Sequence, residues 1–112
     1  MAYSQSLADR IRTLLGRTRG LTEKAMFGGI GFLLDGNMLV GVWQTSLIAR
    51  VGPDAYDQSL KLPHAGQFDI TGRPMKGWIM VGAEGLDDDA ALRAWLDRAL
   101  DFVRTLPTKA TA

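Results

Sequence analysis

A lysine beside clustered glycines is the natural place to look for phosphate chemistry, and residues 24–38, KAMFGGIGFLLDGNM, supply one. A phosphate cradle works because backbone N–H groups converge at the start of a helix. The Walker pattern sets its lysine after the last glycine, and the dinucleotide pattern needs Gly-x-Gly-x-x-Gly leading into a helix. Here Lys24 precedes the glycines, and Gly29-Ile30-Gly31 has no third glycine at the required place. Phe32-Leu33-Leu34 then runs into Asp35-Gly36-Asn37, a turn signal rather than a helix start. Spacing and context both exclude the cradle.

Other routes to chemistry are as sparse. His64 is the only histidine and sits in the Pro-Gly-flanked stretch Leu62-Pro63-His64-Ala65-Gly66, the setting of an ordinary exposed loop histidine. A nucleophilic triad needs a histidine with a nucleophile beside it, and no such grouping can be assembled. The chain has no cysteine, which removes thiolate metal sites and disulfides. Asp87-Asp88-Asp89 is the one carboxylate cluster. Successive residues at a helix start point in different directions, so capping suits them better than metal binding. The expectation is a protein with no catalytic residues, no metal and no cofactor: not an enzyme.

One polar segment remains, DITGRPMKGW over residues 69–78. Arg73 and Lys76 sit on a Pro/Gly-shaped loop with Met75 between them and Trp78 close by. Cations beside an aromatic ring can hold a phosphate or a stacked base. The alternative is an exposed hairpin loop with Trp78 packed inward. Arg73, Met75, Lys76 and Trp78 are therefore the candidate partner-binding loop. Two cations make a thin electrostatic footprint for nucleic acid.

The elements that must position these residues follow from periodicity. Leu7, Ile11, Leu14 and Leu15 recur at helical spacing after Ser4 and Ser6, predicting a first helix over residues 4–16. From residue 25 to 51 the period changes to two, with turns at Asp35-Gly36-Asn37 and Gln44-Thr45, which predicts a three-stranded meander. Gly52-Pro53-Asp54 opens a short helix. Phe68 and Ile70 begin a fourth strand, and Trp78-Ile79-Met80-Val81 forms a fifth. The last helix buries Leu92, Trp95, Leu96, Ala99, Phe102, Val103 and Leu106. The order α-β-β-β-α-β-β-α predicts a two-layer α+β fold with a mainly antiparallel sheet.

Register sharpens the reading of the glycines. A three-residue loop at Asp35-Gly36-Asn37 pairs Leu34 with Met38, Phe32 with Val40 and Ile30 with Val42, placing all six on one apolar face. The opposite face then carries Gly29, Gly31, Leu33, Leu39, Gly41, Trp43 and Ile48, with Arg50 beyond them. Glycines in strands mark close approach of another backbone, and an apolar patch marks a contact. Either a helix of the same chain covers this face or a second subunit does, so these seven residues are the candidate interface of a homodimer.

The bulk composition agrees with a binding domain. The 112 residues suit one domain with one core, with residues 5–106 as its body and a short flexible C-terminal tail. Net charge is +1, unevenly spread. Residues 1–25 hold five cations against two carboxylates, a net +3, and residues 84–112 hold four against six, a net −2. The isoelectric point of about 8.1 lies below the ~9 typical of dedicated nucleic-acid binders. Charges at Asp9, Arg10 and Arg12 interrupt any signal-like apolar run, and no stretch approaches the ~20 apolar residues of a membrane span. A cytoplasmic location without a membrane partner is expected.

Taken together, Met26-Phe27-Gly28-Gly29-Ile30-Gly31-Phe32 leading into Asp35-Gly36, then Arg50-Val51-Gly52-Pro53, then residues 68–78 from Phe68 to Trp78, resemble the N-terminal domain of the TfoX/Sxy competence regulators. The resemblance runs over about residues 5–106, and the expectation is a stand-alone copy of that domain. It implies a secretion-chaperone-like α+β fold and a non-enzymatic bacterial role in competence or transcriptional regulation, exerted through macromolecular partners. A protein-interaction or chaperone-like homodimer with no nucleic-acid role is the alternative. The family offers no catalytic residues to carry over.

Overall fold

The computed structural model describes residues 3–26, 28–68, 72 and 75–108. Helix α1 spans Gln5–Leu15, strands β1 to β4 are Leu21–Met26, Gly29–Leu34, Asn37–Trp43 and Ser46–Arg50, and α2 is Pro53–Leu60. Strands β5 (Ala65–Gln67) and β6 (Trp78–Val81), a 3-10 turn at Ala83–Leu86 and helix α3 (Asp89–Val103) complete the order. The six strands form one antiparallel sheet in the order β1-β2-β3-β4-β6-β5. The expected α+β class and layering are present. The meander before α2 has four strands, not three, because residues 21–26 pair along the edge of β2.

The helices begin and end where their sequence signals fall. The Ser4 side chain accepts the Leu7 N–H at 3.2 Å, and Gly16, in the left-handed region, closes α1 with its N–H on the Arg12 carbonyl. Asp88 caps α3 by accepting the Ala91 N–H at 2.7 Å, while Asp89 pairs with Arg10 at 3.1 Å. The acidic cluster thus serves the helix end and a link between α1 and α3. Leu7, Ile11 and Leu15 of α1, Tyr56 of α2, and Leu92, Trp95, Leu96, Ala99 and Val103 of α3 join one core with the strands. From the sheet this core takes Phe32, Leu34, Val40, Val42, Leu47, Ala49, Ile79 and Val81, alternate residues on their strands.

The first hairpin departs from the expected loop in an instructive way. Asp35 and Gly36 both have positive φ (50° and 84°) and form a two-residue turn, so Leu34 faces Asn37 and Leu33 faces Met38. Carried onward, that register would have put polar and glycine positions into the core. A bulge corrects it. Between Phe32 and Leu33 the register shifts by one residue, restoring the expected Phe32–Val40 and Ile30–Val42 pairs. The extra residue is Leu39. Expected on the glycine face, it lies instead in the helix-covered core, fully buried, because a bulge directs two neighbouring residues toward the same side.

Strand β5 lies wholly before the position expected for it. The expectation starts the strand at Phe68, whereas β5 covers Ala65–Gln67 and Phe68 lies just beyond it, with Ile70 outside the described residues. At the opposite edge, β1 is exposed along most of its length. There Glu23, on the helix side, receives two hydrogen bonds of 2.9 Å from Arg12, which also reaches Asp9. This contact raises the Arg12 pKa and lowers that of Glu23, in each case mainly through the side-chain hydrogen bonds between them. Two of the cations of the basic N-terminal segment are therefore spent on neighbouring carboxylates.

Candidate functional site

The helices cover one face of the sheet; the other face holds a trough of about 310 Å³. Its floor is built from the small and branched residues of the central strands. Gly31 and Gly41 stand directly opposite each other on β2 and β3, and Gly41 stands opposite Ile48 on β4. A side chain at Gly31 would come within 2.9 Å of the Met26 Cε and 3.0 Å of the Met38 Sδ. One at Gly41 would come within 2.9 Å of the Met38 Cε and 3.0 Å of the Ile30 carbonyl. The glycines are there so that two methionine side chains can lie flat across the sheet. Gly29 serves differently: a Cβ there would strike the backbone carbonyl of Val42.

The walls come from elsewhere in the chain. Trp43 stands at the end of β3, and Met75, Trp78 and Phe68 flank the trough from the β5–β6 connection. Phe68 and Trp78 pack as a tilted pair with ring centroids 6.1 Å apart. The connection is held by the Met75 N–H on the Phe68 carbonyl and the Trp78 N–H on the Met75 carbonyl, both 3.1 Å. Its base is tied to the end of β4, where the Val51 and Gly52 N–H groups donate to the Gly77 carbonyl at 2.9 and 3.0 Å.

Arg50 sits at the border between the apolar wall and the helix layer. Its guanidinium lies 5.2 Å from the Trp78 ring centroid and 5.6 Å from that of Phe102 on α3. Burial lowers its pKa from the ordinary arginine value. Lys76, next to Met75, is exposed.

Of the candidate partner-binding loop, Met75 and Trp78 line the trough, Lys76 is exposed and follows Met75 in the chain, and Arg73 lies outside the described residues. Of the interface set, Gly41, Trp43 and Ile48 line the trough, Gly29 and Gly31 lie buried in its strand β2, and Leu33 continues the same face toward the Asp35-Gly36 turn. Leu39 does not belong to it. His64 is exposed with a positive φ of 65°, its Nδ1 3.9 Å from a Glu84 carboxylate oxygen.

On sequence alone the glycine face and the Met75–Trp78 loop are separate features. The structure makes them one site and adds Met26, Met38 and Phe68. The overlooked signal is the placement of methionine. After Met1 the chain has four, and Met26, Met38 and Met75 line this trough while Met80 pairs with Ile48 on the same face. Methionine is flexible and polarizable, and it recurs on surfaces that adapt to apolar partners.

Three helices packed on one side of an antiparallel sheet define a small α+β domain, and among the described residues the other side is open around an apolar trough. The TfoX N-terminal domain family matches residues 13–103, most of the chain, and the protein belongs to that family. No curated protein and no solved structure matches the chain. Among the described residues no helix is long and apolar enough to cross a membrane.

Proposed function

We propose that this protein is a non-enzymatic regulatory domain of the bacterial cytoplasm that acts in competence or transcriptional control by binding another macromolecule. The open sheet face is its contact surface, and the partner is a protein. One observation carries this reading: every described residue lining the trough is apolar or aromatic, Met26, Trp43, Ile48 and Trp78 among them. Such a surface rewards burial against another apolar surface, at roughly 25 cal/mol per Å² removed from water. It offers little to a phosphate backbone, which is bound by clustered cations.

The test is affinity capture from native cell extract, with and without nuclease, using the wild-type chain and Trp43→Asp. Trp43 is only partly buried, so the variant should melt within a few degrees of wild type. The expected result is a partner retained through nuclease treatment and lost with Trp43→Asp. Capture that vanishes with nuclease, binds with steep salt dependence and weakens when Arg73 and Lys76 are neutralised would instead favour nucleic-acid binding. A homodimer through the same face is the second reading, favoured by the same uncovered apolar surface. Its signature is a dimer mass at micromolar concentration that Trp43→Asp abolishes.

A further inference from the structure

We infer that the trough docks an amphipathic α-helix of about three turns whose apolar stripe is flanked by Asp and Glu. This rests on the reading of the open face as a protein-contact surface and names what that surface recognises.

The chemistry of the lining selects the backbone state of the occupant. The trough presents Met26, Met38, Ile48, Met75 and the Trp43 and Trp78 rings, with almost no polar surface. An extended peptide laid across it would press its N–H and C=O groups against groups that cannot bond them, and an unpaired buried polar group is costly. A helix bonds its own backbone internally and presents only side chains. The span agrees. From Met26 on β1 to Trp78 on β6 the trough crosses four inter-strand spacings of ~4.8 Å, about 19 Å. At 1.5 Å per residue that is about 13 helical residues, room for apolar anchors at i, i+3 or i+4, and i+7.

Charge at the margin selects the flanks. Lys24 stands opposite Gly31 in the β1–β2 register, on the trough side, since the preceding Glu23 reaches Arg12 on the helix side. Arg50 lies over the Trp78 wall, and Lys76 is exposed and follows Met75 in the chain. Among the described residues that line the trough there is no carboxylate. Among the described residues, the ion pairs involve Arg10, Arg12, His64 and Arg93 and none of these three cations. A second copy of the chain docked two-fold on this face would bring the cationic margins toward each other, whereas an acidic helix is complementary.

The experiment uses the full chain, isotopically labelled, with the Gly29, Gly31 and Gly41 amide signals as reporters. The probe is a synthetic helical peptide of about 16 residues, with Leu and Phe along one stripe and Glu on both flanks. Its controls are a Lys-flanked twin, a version interrupted by a central proline, and dodecanoate. The acidic peptide should shift the Gly31 and Gly41 signals saturably. It should bind at least about tenfold more tightly than its Lys twin, and Lys24→Glu with Lys76→Glu should invert that preference. Equal binding of the twin overturns the charge assignment, and equal binding of the proline version overturns the helix. Dodecanoate saturating the glycine signals while the peptide leaves them unmoved makes the trough a small-amphiphile site and overturns the inference. So does a dilution-dependent shift of those signals in the protein alone, which identifies a second copy as the occupant. If the peptide fails while Trp43→Asp still abolishes partner capture, only the helix assignment falls. If Trp43→Asp leaves capture intact, the contact-face reading itself falls.

Discussion

The two faces of this sheet are made from the same strands, residue by residue in alternation, yet they are built to opposite rules. On β2 and β3, Phe32, Val40 and Val42 face the helices, and Gly31 and Gly41 face away. The covered side is filled by branched and aromatic residues with few rotamers, locked by α1 and α3. The open side combines bare backbone at the glycines with unbranched methionines laid over it. One face specifies the fold and the other remains adaptable, and strand alternation lets a small chain do both at once.

The contrast between the faces is largest at two leucines six residues apart. Leu39 is fully buried among the helices and Leu33 is half-buried on the open face. Leu39→Ala should cost about 2–5 kcal/mol, and Leu33→Ala about 1 kcal/mol or less, as read by urea denaturation. Similar costs for the two would show that the bulge does not place Leu39 in the core.

A smaller effect separates two glycines within the open face. At Gly29 a new side chain meets the Val42 backbone carbonyl, which cannot move without disturbing the ladder. Gly29→Ala should therefore cost about 1–3 kcal/mol. At Gly31 the nearest atoms are the ends of the Met26 and Met38 side chains, so Gly31→Ala should cost well under that. It should still alter partner binding, because the displaced methionines line the trough. Thermal melting and the capture assay read the two consequences separately.

The smallest expected effect lies on the helix side of the edge strand. The Glu23 carboxyl is held below its ordinary value of 4.5 by Arg12. Its contribution is therefore full above that value and fades as the pH falls through the lower folded value. Both side chains are more than a third exposed, so the contribution is about 0.5 kcal/mol. Glu23→Gln should lower the melting temperature slightly at pH 7, with the difference from wild type closing as the pH falls through the lowered folded value.

Much of the scaffold was legible because local chemistry and tertiary packing agree. Ser4, the stripe Leu7-Ile11-Leu15, Asp88 and the stripe from Leu92 to Val103 each announce an element that the core then uses. Strand β1 was not legible. In Leu21–Met26, LTEKAM, only the two end residues are even partly buried, so the sequence carries no alternation to detect. The bulge was hidden for the opposite reason: Leu39 is apolar like its neighbours, so either face accepts it on pattern alone. The correct Phe32–Val40 pairing was nevertheless recoverable, since only that register fills the core. The trough was the least legible feature. Met26, Met38 and Met75 come from an edge strand, a central strand and a loop, and only the β1-β2-β3-β4-β6 order brings them together.

The exposed edge at β1 has a consequence for solubility. A chain that keeps an apolar sheet face open also has, along the same margin, a strand whose outer row of backbone groups invites another strand to add. Two such features side by side are the ingredients of fibril growth. Here Glu23 and Lys24 point to opposite faces at the middle of that edge, so any strand added in register must cope with a charge on each side. An open apolar face is tolerable because the edge beside it resists strand addition, and replacing both charges with valine should make the domain aggregate on concentration.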